Sequence, residues 1–356
     1  MPVPIPPPAP APEVSVPRPF DLLVIGDANP DVVVGPVPRT PEFGQREQLV
    51  DSGRLLMGGS AAITACGAAR LGLRVAFAGR VGDDAAGAFV RTVLAGRGVD
   101  VSALATDPEL PTPLTTVLTH DADRAILTAP GCLAATGPQD VPDRLLAGAR
   151  HVHAGSFFLM PQLARSLGEI FARARGHGAA TSLDTNDDPA QRWDAELLGP
   201  VLKSTDFLLP NAAEARALAA SLAPGSAEGA PEGAAEGAPE GDGPGTGPAS
   251  AAAALARLGP LVVVKDGAAG ALAHDGAVLT RTAVVPADPV DTVGAGDSFD
   301  AGFIAAVLHG LDLPAALSFA AACGALSTRA HGGTAAQPTR DEARAAALTT
   351  RPGSHA

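Results

Sequence analysis

The stretch that most constrains this chain runs from Val290 to Leu308. A polar turn, Asp291-Thr-Val-Gly-Ala-Gly-Asp297, passes at once into an apolar run with Phe299, Phe303, Ala306 and Val307 at helical spacing. The turn therefore sits at a helix N-terminus. Gly294 and Gly296 let the backbone take positive φ and turn successive N–H groups outward. Together with the helix dipole this makes a cradle for an anion, phosphate above all. Asp297 falls in the first turn beside the cradle, where a carboxylate can accept the proton of a hydroxyl attacking a bound phosphoryl group. The combination suggests a kinase. The stretch also has an ordinary reading, because Asp is a common helix cap and Gly-x-Gly a common turn.

Whether such a turn can be part of a large enzyme depends on the core. The 356 residues, 46% apolar and 18% charged, suffice for one large α/β domain, and no apolar run is long enough to span a bilayer. A net charge of −13 argues against a nucleic-acid partner, whose phosphates call for basic patches, and favours small-molecule partners. Cys66, Cys132 and Cys323 are odd in number, far apart and without a Cys-x-x-Cys pair, so reduced core thiols are expected rather than disulfides or zinc. The lead, residues 1–19, is proline-rich with no basic start or apolar h-region and is expected to be disordered; the cytoplasm is the expected compartment. Residues 223–248 nearly repeat Ala-Glu-Gly-Ala-Pro-Glu-Gly and are expected to form a disordered insert, and residues 346–356 a flexible tail.

Between these segments the chain alternates strand and helix. Phe20–Gly26 reads as a buried parallel strand, and Asn29-Pro-Asp31 follows at its carboxyl end, the edge where open α/β sheets bind ligands. Gly58-Gly59 opens a small-residue helix and allows close backbone approach. His151 and His153 share one face of a strand, but no third metal ligand accompanies them, so ordinary sheet histidines are favoured. Asp184-Thr-Asn186-Asp-Asp188 and Lys265-Asp-Gly267-Ala-Ala-Gly270 each follow a strand. Lys265 can reach a phosphate or simply end its strand. Asn211 and Glu214, three apart, read as a capping box and also as an amide and carboxylate converging on one point.

Asp291-Thr-x-Gly-Ala-Gly-Asp297-Ser-Phe resembles the C-terminal signature of the ribokinase-like (PfkB) carbohydrate kinases. Gly58 to Gly72, with Gly79 to Asp84, resembles their N-terminal signature, and the likeness covers roughly residues 20–340. It implies a three-layer α/β/α fold over 20–345 with a mostly parallel sheet and a small β lid from about 32–57 and 99–133. It further implies Asp297 as catalytic base, with Gly294, Ala295 and Gly296 as anion hole, and Asn29, Asp31, Gly58 and Gly59 around the acceptor. Asn186, Asn211, Lys265, Gly267 and Gly270 are implied along the nucleotide. Glu214 would hold Mg²⁺ through water, and Asp291 a monovalent cation such as K⁺, with loop carbonyls after Arg329. ATP and Mg²⁺ are the implied cofactors, and the lid implies a homodimer. The loop His331-Gly332-Gly333 is expected to help enclose the adenine, with small apolar walls in a protein that has no Tyr.

One departure is Ile63, where most relatives carry Asn; it removes a polar partner from the expected acceptor pocket. Another is the acidic pair Asp187-Asp188, expected to repel a substrate carboxylate. The expected activity is therefore ATP-dependent phosphorylation of a hydroxymethyl on a small neutral sugar. A nucleoside kinase of the same family and a catalytically silent nucleotide binder stand as alternatives, the latter having no use for Asp297. A nicotinamide-binding Rossmann enzyme is disfavoured, because Gly26-Asp-Ala lacks Gly-x-Gly-x-x-Gly.

Overall fold

The structure, a computed structural model, describes residues 18–121, 123–223 and 247–349. Most of the expected lead, insert and tail lies outside the described residues. The described part of the expected flexible tail, residues 346–349, is helical, because it closes an amphipathic helix whose Ala343 is fully buried.

The strands are β1 (Phe20–Ile25), β2 (Asn29–Gly35), β3 (Ser52–Gly58), β4 (Val75–Gly82), β5 (Asp100–Asp107), β6 (Leu114–His120) and β7 (Asp123–Ala129), followed by β8 (Ala149–Ala154), β9 (Ala180–Leu183), β10 (Phe207–Leu208), β11 (Leu261–Lys265), β12 (Ala271–His274) and β13 (Leu279–Thr282). The helices are α1 (Ser60–Arg70), α2 (Ala85–Gly96), α3 (Asp143–Gly148), α4 (Pro161–Gly176), α5 (Ala195–Leu202), α6 (Ala212–Ser221), α7 (Pro248–Ala256), α8 (Ala295–Leu308), α9 (Leu313–Ser327) and α10 (Arg340–Thr349). Among the described residues no helix is long and apolar enough to cross a membrane.

One sheet runs β13-β12-β11-β10-β9-β8-β1-β4-β5, parallel from β11 to β5, with β12 and β13 antiparallel. The apolar run Leu22-Leu23-Val24-Ile25 shows why this sheet is covered on both faces. Leu22 and Val24 pack into a core with α1, α8 and α9, whereas Leu23 and Ile25 pack into a second core with α4 and α7. Three layers result, as expected. Cys66, Cys132 and Cys323 are buried free thiols in this framework.

A second sheet, β3-β2-β6-β7, forms the lid. Its make-up corrects the expected boundaries. β5 pairs in parallel with β4 at the edge of the large sheet, held there by Arg80 of β4, which ion-pairs with Asp107 at 3.0 Å and Asp140 at 2.8 Å. The second lid segment is thus 114–129, not 99–133. Asn29-Pro-Asp31 are the first residues of β2 and pair with Gly58, Met57 and Leu56 of β3. Alternation alone shows that a segment is a strand, but not which sheet takes it.

Candidate active site

Parallel strands bring their carboxyl ends to one edge. Here that edge carries Asp27 after β1, Asp184 after β9 and Lys265 at the end of β11. α1 begins after Gly59, which has no side chain to cap it, so Asp27 reaches across and accepts the N–H groups of Ser60 (3.2 Å) and Ala61 (3.0 Å). Burial pushes the Asp27 carboxyl above its ordinary range. Asp31 lies alongside, accepting from Asn29 Nδ2 at 2.8 Å, and a side chain on Gly58 would fall within 2.0 Å of Asp31 Oδ1. Burial, and then the Asp27 charge, push Asp31 up to about 7. Asn29, Asp31, Gly58 and Gly59 are therefore brought together.

α8 starts at Ala295, four residues before Phe299 opens its apolar run, so the anion turn forms its first turn. Gly294 takes a left-handed φ of 72°, and a Cβ there would lie 2.5 Å from the Gly333 Cα. The Ala295 N–H turns to Thr292 O at 3.3 Å, and the Ser298 N–H joins the helical ladder onto Gly294 O. Among the described residues no carbonyl takes the N–H of Gly294, Gly296 or Asp297, which leaves these three of the four amides from 294 to 297 for an anion. Asp297 is buried beside them, pushed up to about 7 first by burial and then, less strongly, by the Asp184 and Asp27 charges. Its Oδ1 accepts the Ser60 hydroxyl, whose oxygen accepts Asn186 Nδ2 at 2.9 Å.

Beneath this turn lies an ion cluster. Lys265 Nζ donates to Asp184 Oδ2 at 2.6 Å and to Asp300 Oδ2 at 3.0 Å, both carboxylates being buried and the lysine side chain 11% exposed. Asp184, Asp297 and Asp300 converge closely enough to suggest a metal, but an ammonium already neutralises the point where they meet. Lys265 is thus committed to carboxylates rather than free for a phosphate. Asn186 likewise binds Ser60, Asp184 and the Ser156 N–H, on the base side of the site.

Several expectations about the surroundings change. Ile63 is buried against Gly294 and Gly333, behind the anion turn rather than in the acceptor wall. Asp188 spends its carboxylate on the N–H groups of Ala190, Arg192 and Trp193, and Asp187 accepts Gln191, so neither supports the expected repulsion of acidic substrates. Gly332 packs under Leu56 of the lid, so the 331–333 loop braces lid and turn instead of enclosing a base. Asp291 accepts the N–H of Val293 (3.0 Å) and Gly332 (2.9 Å), and Arg124 of β7 stands 3.8 Å from it. His151 and His153 share the Ser182 hydroxyl at 2.7 and 2.8 Å, and burial pushes them down to about 3 and about 4. They are neutral sheet histidines.

Asn211 and Glu214 form the reciprocal capping box, Glu214 Oε2 accepting the Asn211 N–H at 2.8 Å and Asn211 Oδ1 the Glu214 N–H at 2.9 Å. Burial, followed by the Asp184 charge, pushes Glu214 up to about 7. A carboxylate so tied fits a hold on a hydrated cation better than direct ligation. On the far side of the anion turn a cavity of about 460 Å³ runs between Gly267, Gly270, Gly296, Phe299, Gly324 and Ala325. Its walls are small and apolar as expected, with Phe299 as an aromatic addition. Ser60, Asp27 and Asp300 are the site residues that sequence reasoning missed. Asp300 had a signal: it lies three residues after Asp297 on one helix face, near a lysine that a buried strand end must pair with acid.

A cradle of helix-terminal N–H groups, a buried carboxylate beside it and a β lid over the carboxyl edge of a parallel sheet define a phosphotransferase site. The model of the pfkB family of carbohydrate kinases matches residues 20–340. An ATP-dependent ribose-1-phosphate kinase of Halopiger xanaduensis is 33% identical over 324 residues, covering 90% of this chain and 95% of its own. A fructokinase of Klebsiella pneumoniae is 32% identical over 312 residues, 82% of this chain and 92% of its own. The solved structure of Arabidopsis thaliana ribokinase complexed with ribose and ATP superposes with a TM-score of 0.75 at 24% identity, covering 92% of this chain and 98% of that one. The chain belongs to the pfkB carbohydrate kinase family and is an enzyme of that class with the ribokinase-like fold.

Proposed function

We propose that this protein transfers the γ-phosphoryl group of ATP to a hydroxymethyl group of a small sugar, with Asp297 as general base. The observation that carries this is the buried Asp297 carboxyl at the first turn of α8, next to unclaimed N–H groups and joined through Ser60 to the Gly58–Gly59 and Asp31 wall. A base pushed up to about 7 is matched to accepting a hydroxyl proton near neutral pH. The acceptor oxygen forms its bond to the γ-phosphorus as the bond to the bridging oxygen breaks. ADP leaves, and the proton passes to Asp297 Oδ2. The N–H groups of Gly294, Gly296 and Asp297 meet the charge that develops on the phosphoryl oxygens.

Asp31, oriented by Asn29, receives acceptor hydroxyls, while Gly267 and Gly270 let backbone approach the nucleotide. Glu214 and Asn211 would hold the hydration shell of Mg²⁺, which when bound would neutralise the phosphates. The lid excludes water, which would otherwise compete for the phosphoryl group. Its outer face pairs two copies. The name of the Arabidopsis structure, with ribose and ATP bound, supports both donor and acceptor class.

An ATP-consumption screen over ribose, fructose, ribose-1-phosphate, ketodeoxygluconate, adenosine and cytidine tests this, with Asp297→Asn as blank. Turnover on a free sugar is expected, and turnover confined to nucleosides overturns the acceptor class.

A further inference from the structure

Ser60 stands where lid, first helix and anion turn meet, and the transfer scheme above does not use it. It follows Gly58 and Gly59 directly, and its hydroxyl donates to Asp297 Oδ1. Its oxygen accepts Asn186 Nδ2 at 2.9 Å. Asn186 is in turn fixed on both sides of its amide, its Oδ1 taking the Ser156 N–H at 2.6 Å and its Nδ2 reaching Asp184 Oδ2 at 3.2 Å. A hydroxyl has one proton. Because an amide N–H already points into the Ser60 oxygen, that proton is directed at Asp297, and the chain Asn186 to Ser60 to Asp297 has one polarity.

We propose, on the kinase reading above, that Ser60 is the positioning residue of the base. Its O–H fixes one oxygen of Asp297, leaves the other for the acceptor hydroxyl and favours the ionised carboxylate.

The surroundings show why such a donor is needed. Asp297 is faced by Asp27 from the end of β1, by Asp184 from the end of β9, by Lys265 from β11 and by Asp300 on its own helix. Three carboxylates oppose one ammonium, and that ammonium is divided between Asp184 and Asp300. Burial and these charges drive Asp297 towards its neutral form, whereas the Ser60 hydrogen bond pulls the other way and is the largest effect doing so. A hydrogen bond to a charged group is among the stronger kinds.

The test is a carboxyl ¹³C NMR titration from about pH 5 to pH 9 on Asp-labelled protein, bracketing the values at which raised carboxyls titrate. The Asp297 signal is assigned by its loss in Asp297→Asn. In Ser60→Ala the midpoint is expected to rise by about one unit, a tenfold fall in ionised base on the acid side. Turnover of ATP with the best sugar of the screen should fall about tenfold on the acid limb and recover at alkaline pH, with the ATP KM unchanged. Ser60→Thr should restore both readouts, and Asn186→Ala should move the midpoint the same way by less. An unmoved midpoint, or a loss equal at every pH, overturns the proposal. The titration needs no acceptor. If no compound of the screen consumes ATP, the kinase reading fails while the Ser60 effect on Asp297 is still decided; an unmoved midpoint in an active kinase defeats the Ser60 proposal alone.

Discussion

Burial makes Asp297 a usable base at neutral pH and also makes it a burden on the fold. Replacement by Asn keeps shape and hydrogen bonding but cannot take a proton. Asp297→Asn is expected to lower kcat by at least about 10²-fold while calorimetric ATP binding stays close to wild type. The same substitution carries a stability signature. Asp297 and Asp31 are raised from 3.8 to about 7, so between those values the native state holds protons that the unfolded chain has lost. Stability from these groups therefore falls as pH rises through that window. The Tm of Asp297→Asn should exceed that of wild type at pH 8 and converge with it near pH 5; equal Tm values at both pH values would show that Asp297 is not held protonated by burial. Asp297 and Asp31 were legible because local residue types, a glycine turn and a strand end, give their positions. Ser60 was not, since its partner lies 237 residues away and a serine after two glycines has no pattern of its own.

At the scale of elements, the cluster of Lys265, Asp184 and Asp300 ties β11, the end of β9 and α8 together under the anion turn. Burial alone would favour loss of the Lys265 proton, but Asp184 and then Asp300 stabilise the cation and keep it charged. Removing one partner from such a cluster leaves uncompensated buried charge. Lys265→Met is expected to destabilise by about 3–5 kcal/mol in urea unfolding, and adding Asp300→Asn should recover part of the loss. A Lys265→Met protein as stable as wild type would mean that the carboxylates simply share protons instead. The strand reading of Leu261 to Val264 came from its apolar run, and Lys265 at its end stayed ambiguous. Two readings fit one lysine, and only the arrival of Asp184 and Asp300 from distant parts of the chain separates them. β5 was misassigned for a related reason: its parallel ladder with β4, with Arg80 ion-paired to Asp107, is a long-range pairing invisible to local periodicity.

Among the described residues, the outer face of the lid carries an exposed apolar row. In the lid, Leu55 pairs with Val32, Val32 with Thr116 and Thr116 with Leu127, so these four form a row across all four strands. Strand alternation places that row on the face opposite Asp31 and Thr115, away from the site. Leu55 and Leu127 are 54% and 59% exposed, and the outermost strands β3 and β7 add unpaired edges. Apolar rows and open edges of this kind favour association. A second copy is a self-complementary occupant, since a two-fold axis sets the same row against itself. Such a dimer also stiffens the sheet carrying Asn29 and Asp31, which links assembly to acceptor binding. Sedimentation of the wild type is expected to give a dimer, and Leu55→Lys with Leu127→Lys a folded monomer with a raised acceptor KM and little change in ATP KM. A wild-type monomer at high protein concentration, or a double variant that remains dimeric, would place any self-association elsewhere on the surface.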